Sequence, residues 1–174
     1  MAKKSERIAL LVGKDFEDME VMYPYYRLIE AGYQVDVIGE DEAGTIYKGK
    51  HSYPITSTLD IAKAKAKDYV GLVAPGGWSP DKLRRNPKIL KLVTDIDRQG
   101  GVMASICHGP WILISAKVVK GKKMTSTLAL TDDLVNAGAK WVNEEVTVDG
   151  RMVTSRKPDD LPAFMRETLK LLTQ

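Results

Sequence analysis

The chain has 174 residues, of which 44% are hydrophobic and 28% charged, proportions that exclude a disordered or fibrous protein and fit one globular domain spanning residues 1–174. A net charge of +3, with no basic run interleaved with aromatic residues, argues against nucleic acid as a partner. The single cysteine rules out an internal disulfide, and no apolar run approaches membrane-spanning length, so we expect no membrane association and a reducing cytoplasm.

Apolar runs predict the strands. The main strands are expected, in chain order, at residues 7–12, 34–39, 69–74 and 102–106. Residues 45–48 and 52–57 flank a Gly-Lys-His turn and predict a small hairpin or edge strands, and 122–126 predicts a further short strand. Residues 146–148 and 152–155 flank Asp149-Gly150, which predicts a second hairpin.

Helical spacing of apolar residues predicts the helices. Pro24 is expected to open the regular part of the first helix, with Tyr26 and Ile29 facing inward and Gly32 at its end. The other helices are expected at 87–99, after Gly109 in 110–116, at 131–137 behind a Thr-Asp-Asp cap, and near the C-terminus. Residues 62–67 predict a short surface helix or a turn.

The alternation of strands and helices predicts an α/β fold, with a mostly parallel central sheet and helices on both faces. In such folds the functional site lies at the carboxyl ends of the strands. Three predicted loops meet that condition, at 13–20, 75–80 and 105–110. We therefore expect these loops to converge on one site.

The most informative stretch is VMASICHGPWILISA, residues 102–116, where a buried strand turns sharply into a helix at Cys107. Hydrolases place their nucleophile on such an elbow. The partial positive charge at a helix N-terminus favours the thiolate, so a pKa below the free-thiol value of about 8.5 is expected. The alternative is a buried structural thiol, which is common for free cysteines.

Neighbouring residues could complete a catalytic site. His108 could act as a general base, or its ring could simply pack at a subunit contact. An oxyanion hole could be formed by the His108 N–H together with the N–H of Gly76 or Gly77, although two glycines also make an ordinary tight turn. His51 is expected to be solvated. No metal-ligand spacing or nucleotide-binding motif is present, so no cofactor is predicted.

The sequence resembles the DJ-1/PfpI family, most closely its PfpI-like intracellular protease branch. The resemblance is carried by DFEDME at 15–20, APGG at 74–77, ASICHGP at 104–110, Asp132-Asp133 before Asn-Ala-Gly, and Ser155-Arg156 followed by Pro158. It implies a flavodoxin-like three-layer sandwich with a nucleophile elbow, and oligomers of two or more subunits. Glutamine amidotransferases, which also use an elbow cysteine, need a catalytic histidine late in the chain, and no histidine follows His108.

The resemblance also implies roles for individual residues. Cys107 matches the nucleophile, His108 the neighbouring base, and Glu20 the acidic residue that contacts the thiol, with Glu17 as a second acid of the same loop. Since two close negative groups raise a pKa, Glu20 is expected to hold a proton and donate to Cys107; the alternative is a surface residue near a helix start. Asp81 matches a position that often carries Glu and reaches the histidine across a subunit interface, and its side chain is one methylene shorter.

The family's activities are disputed and include peptidase, glyoxalase, deglycase and chaperone-like functions. The expected function is that of a cysteine-dependent enzyme acting on small 2-oxoaldehydes, on their adducts with proteins, or on peptide carbonyls. The alternative is a stress protein without enzymatic activity whose cysteine senses oxidants.

Overall fold

The computed structural model describes residues 6–174; the basic residues that precede this range lie outside the described part. Its strands are β1 (Arg7–Leu11), β2 (Gln34–Gly39), β3 (Ile46–Lys48), β4 (Pro54–Thr56), β5 (Leu59–Asp60), β6 (Tyr69–Ala74), β7 (Val102–Ile106), β8 (Lys123–Met124), β9 (Lys140–Trp141), β10 (Val146–Asp149) and β11 (Met152–Ser155). Its α-helices are α1 (Asp18–Glu30), α2 (Ser79–Leu83), α3 (Pro87–Arg98), α4 (Pro110–Ser115), α5 (Thr131–Asn136) and α6 (Leu161–Leu172).

A seven-stranded sheet in the order β10-β11-β7-β6-β1-β2-β5 forms the centre of the fold. All neighbouring pairs are parallel except β10 and β11, which form the predicted antiparallel hairpin. The central strands are continuous apolar runs because both of their faces are covered. The predicted α/β fold with a mostly parallel, flavodoxin-like sheet is confirmed.

Helices cover both faces of the sheet. The side chains of β1 alternate between the two hydrophobic cores: Leu10 faces the core formed with α1 and α6, and Leu11 faces the core formed with α2 to α5. Two smaller sheets lie apart from the main one, an antiparallel pair β3/β4 and a parallel pair β8/β9. No helix in the described range is long and apolar enough to cross a bilayer.

The predicted orientation of the first helix is wrong. Helix α1 begins at Asp18, six residues before Pro24, and the side chains of Tyr26 and Ile29 are exposed. The buried residues are instead Glu20, Val21, Pro24 and Leu28, so the helix is rotated to bring a glutamate into the core. Pro24 lies inside the helix with its ring buried, and the carbonyl of residue 20 loses the helical N–H that would normally bond it.

Local details also differ from expectation. Helix α2 and the edge strand β5 were not predicted. The Thr131 hydroxyl does not cap α5; it donates to the carbonyl of Leu128. In the β10/β11 hairpin, Asp149 pairs with Met152, so the loop consists of Gly150 and Arg151 rather than starting at Asp149.

Candidate active site

Cys107 lies on a strained elbow between β7 and α4. Its φ is 60°, a conformation that costs a non-glycine residue roughly 1–2 kcal/mol. Two backbone hydrogen bonds hold the turn: the Cys107 N–H donates to the carbonyl of Ser155 at 3.1 Å, and the Gly109 N–H donates to the carbonyl of Ile106 at 2.8 Å. The geometry lifts the side chain of residue 107 out of the strand, as the sequence predicted.

Gly109 is required by the close packing of this elbow against β6. A Cβ at this position would lie 2.0 Å from the carbonyl oxygen of Ala74 and 2.6 Å from the hydroxyl of Ser105. The elbow therefore rests directly on the carboxyl end of the neighbouring strand. This contact fixes the height of Cys107 relative to the Pro75-Gly76-Gly77 loop.

Glu20 projects from the first turn of α1 into the interior and is completely buried. Its Oε2 accepts a hydrogen bond of 2.7 Å from the backbone N–H of Gly76. Its Oε1 is also buried and has no hydrogen-bond partner among the described residues. Glu20 is therefore an interior residue and not a surface residue at a helix start.

The loops at 13–20, 75–80 and 105–110 meet at Gly76. A Cβ on this glycine would lie 2.6 Å from Oε2 of Glu20, 2.7 Å from Cβ of Cys107 and 2.9 Å from the backbone nitrogen of His108. The Glu17 N–H also donates to the Gly76 carbonyl at 3.2 Å. Only a residue without a side chain fits where these three segments converge.

The two glycines of this loop have different roles. The Gly76 N–H is bonded to Glu20, so it does not serve as the free oxyanion donor that the sequence suggested. The N–H groups of Gly77 and His108 act on the Cys107 sulfur instead, and both favour its negative form. Gly77 has φ of 76°, and a Cβ there would lie 2.3 Å from the Glu17 nitrogen, so its backbone position is tightly constrained.

The expected lowering of the Cys107 pKa is wrong for this environment. Burial, followed by the nearby carboxyl of Glu20, raises the pKa of the thiol to about 12. Burial also raises the pKa of Glu20 to about 8. Glu20 raises the pKa of Cys107, whereas Cys107 opposes the burial that raises the pKa of Glu20. Because the pKa of Glu20 is the lower of the two, Glu20 is the group poised to exchange a proton near neutral pH.

His108 is held beside the thiol. Its Nδ1 lies 3.3 Å from the Cys107 sulfur, and its ring packs between Trp78 and Trp111 at centroid distances of 5.7 and 5.1 Å. The indole of Trp111 is fixed in turn by a 2.8 Å hydrogen bond to Asp133. Burial lowers the pKa of His108, so the ring is neutral at pH 7 and can accept a proton.

Sequence reasoning missed Lys50, which reaches the site from the β3/β4 hairpin. Its ammonium lies 3.0 Å from Oε2 of Glu17, and its backbone N–H donates to the carbonyl of Phe16 at 2.9 Å. Glu17, expected as a second acidic residue of the first loop, thus forms an ion pair at the edge of the site. The only signal in the sequence is the Gly-Lys-His turn, which carries no catalytic motif.

Asp18, Glu17 and His51 could offer three ligand atoms within 4.8 Å of one another. Both carboxylates are already engaged, since Asp18 accepts the N–H groups of His51 and Tyr53 and Glu17 binds Lys50. These contacts tie the hairpin to the first loop. His51 is exposed, as expected.

Asp81 is not brought to His108 within this chain. It lies in α2, an element that the sequence did not predict, and its half-exposed carboxylate pairs with Arg85 one turn along the helix. Pro80 occupies the start of α2, a position where proline commonly opens a helix, and this signal could have revealed the element.

A cavity of about 310 Å³ opens beside the elbow. It adjoins Cys107 through Thr127, whose N–H donates to the Cys107 carbonyl at 3.2 Å. Its lining combines hydroxyl, amide, apolar and basic groups from Ser126, Thr127, Leu128, Asn143, Arg156 and Lys157.

Comparison with known proteins places these features in a family. The model of the DJ-1/PfpI family matches residues 6–171. Among curated proteins, the chain is 46% identical over 166 residues to a deglycase of Pyrococcus horikoshii and 45% identical over 166 residues to Deglycase PfpI of Pyrococcus furiosus. Each alignment covers 95% of this chain and 99% of the relative.

Solved structures show the same similarity. A two-domain protein from Anabaena variabilis, with DJ-1/ThiJ/PfpI-like and ferritin-like domains, superimposes with a TM-score of 0.94 at 36% identity. The match covers 97% of this chain and 48% of that one, so it accounts for about half of the two-domain protein.

Proposed function

The chain belongs to the DJ-1/PfpI family, and from this premise we propose that it is a cysteine-dependent enzyme that converts reactive carbonyl compounds, acting as a deglycase or glyoxalase. The observation that carries the proposal is the buried pair of Cys107 and Glu20 at the elbow, with two backbone N–H groups directed at the sulfur. The two Pyrococcus relatives are both named deglycases, which supports the same reaction class.

In the first proposed step the Cys107 sulfur adds to the aldehyde carbon of a 2-oxoaldehyde. The thiol proton passes to the carboxylate of Glu20, whose pKa of about 8 suits a base working near neutral pH. The C–S bond forms as the C=O π bond breaks. The N–H groups of His108 and Gly77 stabilise the developing negative oxygen, which then takes up a proton to give a hemithioacetal.

In the second step a proton moves from C1 to C2 of the hemithioacetal through an enediol, which converts it into a 2-hydroxy thioester. His108 is close enough to the sulfur to shuttle this proton, and its neutral ring can both accept and return it. Water then cleaves the thioester, which releases a 2-hydroxy acid and restores the thiol. When the aldehyde carbon starts as a hemithioacetal or hemiaminal on a protein side chain, its bond to the side chain first breaks, which returns the side chain with its proton and regenerates the aldehyde. The Cys107 sulfur then adds to that aldehyde as above.

Peptide hydrolysis makes greater demands on this site. It requires an oriented histidine that protonates an amine leaving group. His108 is held by aromatic packing, and among residues 6–174 no carboxylate hydrogen-bonds its ring to fix the tautomer, since Asp81 pairs with Arg85. We therefore propose only weak peptidase activity.

We further propose that the protein is a homo-oligomer in which Asp81 approaches His108 of another subunit. The exposed Trp78 lies beside the ring of His108, and the half-exposed Asp81 follows three residues later. Such a contact requires Asp81 to exchange Arg85 for the histidine of the other subunit. Light scattering at micromolar concentration tests this; a monomer alone would contradict it.

The alternative of an oxidant sensor receives less support. A peroxide sensor needs a thiol that is ionised at rest, whereas burial and Glu20 raise the pKa of Cys107. An enzyme needs the Cys107 thiol to ionise only during its attack on the substrate, when Glu20 takes the proton.

A substrate panel tests the proposed function. Purified wild type and Cys107→Ser are compared for lactate formed from methylglyoxal, glycolate formed from glyoxal, and hydrolysis of fluorogenic peptides. We expect hydroxy acids from the wild type alone, and little peptide cleavage. Strong peptide cleavage without hydroxy acid would show that peptidase activity, not carbonyl conversion, is the main activity. Absence of every activity, together with rapid oxidation of Cys107 to a sulfinate, would favour the oxidant-sensor function.

A further inference from the structure

We propose that Lys50 binds a carboxylate at the mouth of the Cys107 site, that of the 2-hydroxy acid product. The identity of this ligand rests on the proposed function, whereas the test below does not require turnover. No motif in the sequence marked this residue, and its place follows from the contacts of the hairpin.

Backbone contacts fix the position of Lys50. Phe16 pairs with Gly49 on one side and with Gly77 on the other, so the hairpin, the first loop and the Gly76-Gly77 loop lie side by side. The Lys50 N–H donates to the Phe16 carbonyl at 2.9 Å, and Asp18 anchors the following turn by accepting two further N–H groups. The lysine is thus held next to the loop that supplies the Gly77 N–H.

The Lys50 side chain leaves hydrogen-bonding capacity for a ligand. Its ammonium has three N–H donors, of which Glu17 occupies one at 3.0 Å. The Lys50 side chain is 36% exposed and that of Glu17 only 13%, so the positive end of the pair faces solvent and the negative end faces the protein. An incoming carboxylate therefore meets the ammonium first.

The charge of Lys50 also affects the pKa values of other residues in the site. It opposes the burial that raises the pKa of Glu20 and adds to the burial that lowers the pKa of His108. The hydrogen bond to Glu17 raises the pKa of Lys50 itself, with smaller contributions from Cys107 and Glu20. The other charged groups that influence these residues most strongly are acidic. Lys50 therefore supplies the positive charge that lets an anion approach a sulfur flanked by carboxylates.

Two alkylating reagents that differ in charge provide the test. Iodoacetate and iodoacetamide react with Cys107 by the same displacement of iodide, but only iodoacetate carries a carboxylate. In Lys50→Met we expect the ratio of the iodoacetate rate to the iodoacetamide rate to fall about fourfold, the effect of one unit charge about 5 Å away in water. Lys50→Arg should retain the wild-type ratio, and Glu17→Gln should increase it.

Lys63→Met is the matched control, because Lys63 lies beside Arg7 and Tyr69, which begin β1 and β6, whereas Cys107 follows the carboxyl end of β7. It removes the same charge at a position away from the site. An unchanged ratio in Lys50→Met, or an equal fall in Lys63→Met, would overturn the proposal. If Lys50→Met does not fold, the wild type alone provides the test. Its ratio of iodoacetate rate to iodoacetamide rate should fall when salt is raised from about 0.05 to about 0.5 M, because salt screens an exposed charge. A constant ratio would refute the inference.

Discussion

Glu20→Gln is expected to stabilise the folded protein while impairing catalysis. Burial raises the pKa of Glu20 from its ordinary value of 4.5 to about 8, so the folded state binds this proton more tightly than the unfolded chain does. The stability linked to this group is fully present below pH 4.5 and is lost as the pH rises through 8. At about 1.4 kcal/mol for each tenfold change in proton affinity, the loss reaches about 3 kcal/mol at pH 7.

Glutamine has nearly the same shape, does not titrate, and its side-chain oxygen can accept the Gly76 N–H. Urea unfolding of wild type and Glu20→Gln at pH 4.5, 7 and 8.5 measures the difference, which should grow with pH to about 3 kcal/mol at pH 7. Glu30→Gln, at an exposed position of the same helix, should stay within about 0.5 kcal/mol of wild type at each pH. A variant that is less stable than wild type at pH 8.5, or a difference independent of pH, would refute the reasoning.

Three further outcomes are expected. Gly76→Ala should lower the free energy of unfolding, measured with urea, by about 3 kcal/mol and slow the alkylation of Cys107, because its Cβ would lie 2.7 Å from that of Cys107. Gly121→Ala, the control, has positive φ but open surroundings and should lower the free energy of unfolding by about 1 kcal/mol. Iodoacetamide alkylation of Cys107 should still accelerate above pH 8.5, since its pKa is raised to about 12, and a plateau at lower pH would contradict this. The kcat/KM for methylglyoxal should rise as Glu20 ionises near pH 8, and a flat profile would exclude Glu20 as the base.

Much of the fold was predictable because its signals are local. Strand β6 matches its prediction residue by residue, since an apolar run is bounded by Asp68 and Pro75. Helix α3 begins at Pro87 and ends beside Gly100, and its inward residues repeat at helical spacing. Where the terminators and the periodicity agree, sequence alone is sufficient.

Helix α1 shows why such reasoning fails elsewhere. A hydrophobicity pattern assigns Glu20 to the outside, and this moves Tyr26 and Ile29 to the inside. The actual orientation is set by the burial of a carboxyl group against a loop more than fifty residues away. Neither the sequence of the helix nor the position of Pro24 contains that information.

The candidate site also has features that the sequence predicts and features that it does not. Topology predicted that the loops carrying Glu20, Gly76 and Cys107 would meet. It could not predict which glycine N–H remains free, because that depends on which N–H donates a hydrogen bond to Glu20. The direction of the Cys107 pKa also depended on burial, which outweighed the helix N-terminus on which the prediction relied.

The central claim is that Cys107 forms a covalent bond to the substrate during turnover. Acid-quenched samples of wild type and methylglyoxal, followed by intact mass and peptide mapping over the first turnovers, test it most directly. We predict an adduct of one methylglyoxal on Cys107 that forms before lactate is released and decays at the turnover rate, and no lactate from Cys107→Ser. Lactate formation without an adduct, or undiminished turnover by Cys107→Ser, would contradict the account.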